Sequence, residues 1–456
     1  MTRFLDRLRF GLCQPFVILI ITTSLFGSEL NQKTPVPEIE RKSFLNGMEV
    51  LFFEGNPNKL PFLLMIKNGA AFDPLGKWGA TYLMTRMIME SLDEQYITSE
   101  LTGVVIDYRV DWDAIYIFGT APQDKLEGFL IELARVLTRP EYRREEFERI
   151  RAEVLEEVAA EENSASWKTR SLFFSTLFGD NPYSHLIKGT KETLNGLYFR
   201  DIKIQSRKLL MPNQTKLALF YPGDRGKFFR NLSRHWGVWI RHDPAPFTFR
   251  KSLPLESSRI LLLSHSPDDS QAFLRIGFLG VRANSQHAVT LLVLKEYLTL
   301  ALPDWAQEIA NDSQLQGNVE LSNRKMPGYL LVSIRCRPDL AAPYLERFRR
   351  EIQDLLEGRV DERRFAEAKM IVTQQFSRHL EDPSRSLDIV LKTDLYELGI
   401  HYIVTFGLRI QRITPGLFLR GIGDSFNQGN FLAVISTPTL EIRENLALLA
   451  PVEVLN

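Results

Sequence analysis

The chain has 456 residues, enough for two or three domains with a large buried core. Its content of 44% hydrophobic and 25% charged residues is typical of globular proteins. Lys+Arg and Asp+Glu each number 56, and this zero net charge argues against a dedicated nucleic-acid-binding protein.

The first 28 residues have the pattern of a secretory signal peptide. Three arginines among the first nine residues precede a short apolar run, Pro15–Phe26, and the small residues Gly27 and Ser28 follow it. The run is too short for a comfortable membrane span. We therefore expect export to the periplasm or the cell exterior and no stable membrane span after cleavage; an uncleaved anchor is the alternative. Of the two cysteines, Cys13 lies in this segment, so the mature chain would keep only Cys336 and form no internal disulfide.

A first α+β domain is predicted over residues 43–243, after a polar, proline-containing linker over residues 29–42. It ends with a helix, a turn and a strand within Arg207–Phe220. Strands and helices earlier in this domain follow from period-2 and helical patterns. The predicted strands are Phe44–Phe53, Pro61–Lys67, Val104–Arg109 and Ala114–Gly119, and the predicted helices are Lys125–Leu137 and Arg143–Glu162.

A second domain is predicted over residues 259–456, after an interdomain linker over residues 244–258. Its elements repeat the layout of the first half, which indicates two homologous α+β domains. They are the strands Gln271–Gly277, Tyr329–Cys336 and Asn430–Ser436, and the helices Gln286–Leu302, Ala341–Leu356 and Asp361–Leu380.

The stretch Asn68–Glu90 is the most informative part of the first domain. A loop punctuated by glycine and proline leads into a helix with apolar residues at helical spacing. This stretch resembles the zinc-site segment of the insulinase/pitrilysin-type metallopeptidases, which include the mitochondrial processing peptidases. In that family, P-P-G-K-x-G leads into G-x-x-H-x-x-E-H. The framework positions of the motif are kept as Pro74, Gly76, Lys77 and Gly79.

The three chemical positions of the motif are changed. Tyr82 stands at the first His, Thr85 at the Glu, and Arg86 at the second His. A catalytic zinc needs neutral imidazole or carboxylate ligands and a carboxylate that takes a proton from the bound water. Arg86 instead places a permanent positive charge at the metal position. We therefore expect no catalytic residue and no zinc at this helix, although the family implies zinc.

The second family signature, F-E-R-x-R-x-x-V-L-E-E, is similar to the sequence from Phe147 onward. In that frame Glu157 takes the third zinc-ligand position, while Ile150 replaces a supporting Glu. Glu157 is thus a vestigial ligand position. Two interpretations stay open: a solvated acidic helix face, or an ion pair between Glu157 and Arg86 that fills the old zinc cavity.

Two further patterns complete the comparison with the family. Asn181–Leu197 resembles a family loop, and its His185 is interpreted as a surface loop residue. The R-x-x-x-Y element, expected within Asp312–Glu320, is absent, because Arg324 and Tyr329 come later and at a different spacing. The seven histidines are dispersed, and the sequence contains no H-x-x-E-H or H-E-x-x-H.

The resemblance implies an α+β fold of two homologous domains, each a mostly antiparallel sheet with helices packed on one face, in a clamshell arrangement. It also implies a chain that is not an enzyme on its own. We expect a partner subunit or a peptide-binding scaffold for an active zinc-bearing homologue, with peptides as possible ligands and no nucleic acid. The alternatives are an active zinc metalloendopeptidase with a non-standard site and a structural protein without a peptide role.

Overall fold

The computed structural model describes residues 38–92, 101–243, 250–266, 269–311, 315–426 and 429–455, which belong to one compact unit. The predicted signal peptide and nine residues of the predicted linker lie outside these ranges. Within them, no helix has both the length and the apolarity needed to cross a membrane.

The first domain is built on a six-stranded mixed sheet in the order β1-β2-β6-β3-β5-β4. Only the β2–β6 pair is parallel. Its strands are β1 Ile39–Ser43, β2 Glu49–Phe53, β3 Leu60–Ile66, β4 Val105–Val110, β5 Ile115–Ala121 and β6 Thr215–Phe220. The helices of this half are α1 Ala80–Glu90, α2 Gln123–Thr138, α3 Arg144–Glu162, α4 Ala165–Phe178, α5 Lys191–Asn195, α6 Phe199–Leu209 and α7 Arg225–Trp236.

The second domain has a six-stranded sheet in the order β12-β7-β11-β8-β10-β9. Its strands are β7 Arg259–Ser264, β8 Ala272–Leu279, β9 Gln316–Ser322, β10 Tyr329–Cys336, β11 Leu432–Thr437 and β12 Val452–Leu455. Its helices are α8 Ala288–Ala310, α9 Ala341–Leu356, α10 Glu362–Glu381, α11 Pro383–Leu395, α12 Ile400–Gln411, α13 Pro415–Ser425 and α14 Arg443–Ala447. Short 3₁₀ turns occur at Ala70–Phe72, Pro182–Ser184, Pro212–Gln214 and Pro338–Leu340.

The two sheets share one topology in five of their six strands. Strand β2 corresponds to β7, β6 to β11, β3 to β8, β5 to β10 and β4 to β9, with the same pairing directions. The sixth strands differ, since β1 runs antiparallel to β2 whereas β12 runs parallel to β7. Two homologous α+β domains with mostly antiparallel sheets are therefore confirmed.

Each sheet also carries a helix from the other domain. Helix α4 of the first half packs on β8 and β11, and α11 of the second half packs on β3 and β6. All seven residues of β3 are buried, because both faces of the first sheet are covered. The prediction of helices on one face is thus incomplete. The exchange gives the two halves a shared hydrophobic core.

Several elements differ from the sequence prediction. Residues 39–42, placed in a linker, belong to the edge strand β1. Helix α7 lies in a stretch where no helix was predicted. Helix α8 continues past Leu302 through Pro303 to Ala310. Of the predicted interdomain linker, residues 244–249 lie outside the described part, and residues 250–258 form neither helix nor strand.

Candidate functional site

The loop before α1 is held by a buried carboxylate and a glycine. Asp73 accepts hydrogen bonds from the backbone N–H of Gly79 and of Thr81, both at 2.9 Å, and thereby caps the helix. Gly79 has φ of +94°, and a Cβ there would lie 2.5 Å from the Lys188 carbonyl oxygen. Only glycine fits this position. The loop therefore fixes where α1 begins.

Asp73 is at the centre of a buried polar network. The Thr81 hydroxyl donates to one carboxylate oxygen at 2.5 Å, and the Gln205 amide donates to the same oxygen at 3.1 Å. Burial raises the pKa of Asp73 to about 7, although the hydrogen bonds from Thr81 and Gly79 favour the ionised form. This carboxylate faces the helix N-terminus, so its role here is structural.

Helix α1 buries the apolar face that the sequence predicts, with Leu83, Met84, Met87 and Ile88 all nearly inaccessible. Thr85 is also buried, at 1% exposure, and its hydroxyl donates to the Thr81 carbonyl at 2.8 Å. A threonine hydroxyl bound within its own helix cannot serve as a general base at neutral pH. Thr85, at the position of the family Glu, therefore cannot take a proton from water.

Arg86 leaves α1 toward three carboxylates. Its Nη1 donates to Glu157 and its Nη2 to Glu153, both at 2.7 Å, while its Nε donates to Glu90 at 3.1 Å. The Arg86 side chain is 18% exposed. Glu157 also accepts from Lys188 Nζ at 3.2 Å. The ion pair between Arg86 and Glu157, one of the two interpretations of the sequence, is present and belongs to a larger network.

The network fixes the charges of its members. Burial opposes the charge of Glu157, but hydrogen bonds from Arg86 and Lys188 outweigh it and lower the pKa of this carboxyl. Burial likewise opposes the Arg86 charge, and the bonds to Glu157 and Glu90 outweigh it and raise its pKa. Both groups are ionised at neutral pH, and each satisfies the other.

Zinc does not fit this arrangement. The guanidinium of Arg86 lies 2.7 Å from the carboxylate oxygen that would bind the metal, where a dication would meet a fixed positive charge. Tyr82 is half-buried, with its ring 6.3 Å from the Tyr108 ring and 6.0 Å from Lys188 Nζ. Throughout the described ranges, no three His, Cys, Asp or Glu side chains come together as a group that could hold a metal ion.

His185 is buried rather than on the surface, so the interpretation as a surface loop residue is wrong. It is 4% exposed and stacks on Trp78, with ring centroids 5.3 Å apart. Burial lowers the pKa of His185 to about 4. Trp112 donates to its backbone carbonyl at 2.9 Å, which ties this loop to the turn between β4 and β5.

Arg324 and Tyr329 both take part in contacts between the domains. Arg324 lies 3.5 Å from Asp111 and 3.7 Å from Asp113, two carboxylates of the first domain. The Tyr329 hydroxyl donates to Glu320 at 3.4 Å, and its ring contacts helix α4 of the first half. The two side chains therefore join the halves of the chain.

Sequence reasoning missed three members of the Arg86 network, Glu90, Glu153 and Lys188. Glu90 lies four residues after Arg86 on one helix, and Glu153 lies four before Glu157 on another. Helical i,i+4 spacing was the available signal for both. Lys188 comes from a loop, and no local pattern places it there.

Residues 226–372 match the model of the peptidase M16 inactive domain. The fold is similar to a protease from Helicobacter pylori, with a TM-score of 0.80 and 16% identity over 89% of this chain and 100% of that one. It is also similar to a peptidase M16 inactive domain from Pseudomonas fluorescens, with a TM-score of 0.78 and 15% identity over 88% and 98%.

A third similar structure is the periplasmic protease PqqL from Escherichia coli. The TM-score is 0.70 and the identity 12%, and the match covers 91% of this chain but 48% of PqqL. No curated protein sequence matches this chain.

The chain has the two-domain α+β fold of M16-like peptidases. Within it, residues 226–372 match the model of the peptidase M16 inactive domain. The resemblance to a degenerate member of the insulinase-type peptidases, inferred from the sequence, is thereby confirmed.

Proposed function

We propose that this chain is a non-catalytic M16-like peptidase homologue that serves as a partner subunit or peptide-binding scaffold for an active, zinc-bearing homologue. The observation that carries the proposal is the Arg86 network. The Arg86 guanidinium donates a charge-assisted hydrogen bond of 2.7 Å to Glu157, the residue at the third zinc-ligand position of the family. With Thr85 unable to take a proton from water, the proposed chain binds no zinc and has no catalytic residue.

The partner role is supported by the size of a similar protease. PqqL is about twice as long as the part of it that this chain matches. The rest of that single chain lies outside the match, so an equivalent portion would reach this chain as a separate subunit. We propose an M16-like homologue with an intact H-x-x-E-H motif as that subunit.

The peptide-binding role rests on the edge of the first sheet. Strand β4 lies at one edge of this sheet and pairs only with β5 among the described strands. Its residue Val105 is 57% exposed. The Asp111 N–H donates to Ala114 across the β4–β5 turn. By alternation, the N–H groups of Ile106 and Tyr108 point to the open side, where that of Tyr108 donates to Asp107 Oδ1 at 2.7 Å and that of Ile106 is left for a peptide. A peptide that adds as a further strand there would run beside the Arg86 network.

Export is part of the proposal. The N-terminal 28 residues have the signal-peptide pattern, and PqqL is described as periplasmic in Escherichia coli. A periplasmic or extracellular location would bring the chain to a partner of the same compartment.

The test is coexpression of the full chain with an M16-like homologue that carries H-x-x-E-H, followed by gel filtration and a peptide-cleavage assay. We expect a stable complex whose cleavage requires the partner's motif. The variant Ile106→Pro should reduce peptide binding, because it removes an outward N–H and leaves the β4–β5 ladder intact; Ile106→Val is its matched control. Chelator-sensitive cleavage by the isolated chain would contradict the proposal. A chain that binds neither a partner nor a peptide would favour a purely structural role.

A further inference from the structure

One face of the second sheet changes from apolar to polar along its strands. Cross-strand register places Arg275, Ser333 and Asn318 in one row across β8, β10 and β9. Two and four residues earlier on β10, the same face carries Leu331 and Tyr329, which are buried in the core shared with α4. The polar row lies at the end of the face next to the first turn of α4.

This polar end forms an open cleft of about 460 Å³ in which three buried polar atoms have no hydrogen-bond partner. They are Arg275 Nε, Arg335 Nε and Ser333 Oγ. The Ser333 residue is only 9% exposed. Because folded proteins satisfy nearly all of their buried polar groups, these three atoms show that the lining of the cleft is short of hydrogen-bond acceptors.

The charges around the cleft do not balance. Arg170 is neutralised by Glu320, with two contacts of 3.0 Å. Arg335 has Asp269 at 3.7 Å. Arg275 donates to the neutral Ser166 hydroxyl at 2.9 Å and makes no ion pair with any described residue. Burial and the neighbouring charge of Arg170 lower the pKa of Arg275, and the smaller influence of Glu320 opposes them. Three arginines thus face two carboxylates, which leaves one positive charge in excess at the cleft.

Two further features make the cleft attractive to an anion. Ser166 lies in the first turn of α4, a helix of 14 residues, whose N-terminal dipole adds positive potential. The corresponding face of the first sheet lacks this imbalance, since Lys216 there has Glu49 at 2.6 Å and Asp394 at 2.8 Å. The excess charge is thus particular to the second domain.

We propose that this cleft binds a carboxylate carried by an extended peptide segment. One uncompensated charge matches a monoanion, and the planar guanidinium of Arg275 presents donors at the spacing of two carboxylate oxygens. The Ser333 hydroxyl supplies a further donor. The cleft is within the size range of small-ligand sites and opens at the edge strand β9, where Gln316 and Gly317 are exposed, so a chain can enter and leave it. The inference does not depend on the proposed partner role.

The carboxylate can be a side chain or a chain terminus, and the probes separate the two. Calorimetric titrations of the full chain would use a capped tripeptide with a central glutamate, its glutamine analogue, a capped triglycine with a free C-terminal carboxylate, and inorganic phosphate. We expect one or both carboxylate peptides to bind, with an affinity that falls as salt is added, and the glutamine peptide not to bind.

The variants test the residues. Arg275→Gln should weaken carboxylate binding by about tenfold or more, and Ser333→Ala by a few-fold. Arg359→Gln removes an equal charge from an exposed arginine paired with Asp354 and Glu357, and should leave binding unchanged. Unchanged binding in Arg275→Gln, equal binding of the glutamine peptide, tighter binding of phosphate, or no binding of either carboxylate peptide would overturn the proposal.

The stability of Arg275→Gln separates a binding role from a structural one. Because the native arginine is half-buried without an ion-pair partner, its removal should leave the urea midpoint of unfolding equal to that of the wild type or raise it. A midpoint clearly below the wild-type value would assign Arg275 to the fold and overturn the proposal, whatever the titrations gave.

Discussion

Replacing Arg86 with alanine tests whether the guanidinium has taken over the structural role of a metal in this helix pair. The variant removes three ion-pair contacts, at 2.7, 2.7 and 3.1 Å, from a side chain that is 18% exposed. Partly exposed ion pairs contribute roughly 0.5 to 1 kcal/mol each, so the free energy of unfolding should fall by about 2 kcal/mol. The loss is not larger, because Lys188 still contacts Glu157 after the substitution.

The matched control is Arg149→Ala. Arg149 contacts two of the same carboxylates, Glu90 and Glu153, but its side chain is 51% exposed. Its removal should cost about 0.5 kcal/mol. Urea unfolding followed by circular dichroism measures both variants. If Arg86→Ala is no more destabilising than Arg149→Ala, then the Arg86 network is a solvated surface and not a fixed replacement for the metal.

Two further predictions concern zinc and pH. In the double variant Tyr82→His/Arg86→His, two imidazoles one helical turn apart join Glu157 in a His₂Glu set, so elemental analysis should find about one zinc per chain. Arg86→Ala alone should bind none, and a folded double variant without zinc would show that these are not ligand positions. The buried His185 has its pKa lowered to about 4 from an unfolded value of about 6.5. Below pH 6.5 the unfolded chain takes up a proton that the native chain does not, so stability falls with falling pH. The control is His185→Phe, which retains the stacking on Trp78. Relative to this variant, the wild type should lose about 1.4 kcal/mol of unfolding free energy per pH unit between about pH 6.5 and 4. Urea titrations across that range that show no difference between the two would contradict the burial argument.

The sequence predicts those parts of the fold whose signals are local. Strand Tyr329–Cys336 and helix Ala341–Leu356 have the predicted bounds, because alternating or helical periodicity ends there at turn residues. Helices α4 and α11 were missed. Each packs on the sheet of the other domain, and no local sequence pattern records a partner so far away along the chain.

In the candidate site, too, the sequence predicts the features that depend on local spacing and misses those that depend on tertiary packing. The positions of Tyr82, Thr85, Arg86 and Glu157 follow from the spacing of two helical motifs. The ion pair between the last two was one of two interpretations that the sequence left open, and the structure contains it. The burial of His185 does not, because a loop residue is buried only by what folds over it.

The retained framework of the motif has structural roles that do not depend on zinc. Gly76 and Gly79 have φ of +74° and +94°, conformations that other residues rarely adopt. Lys77 pairs with Asp201 at 2.9 Å and so joins the loop to helix α6. Asp73 caps the helix. Substitutions at these positions would displace α1 from the sheet, whereas changes at the three chemical positions leave the helix in place. Helix α1 is therefore held in place by contacts that need no metal, and an arginine held by carboxylates lies where the family motif has its second His.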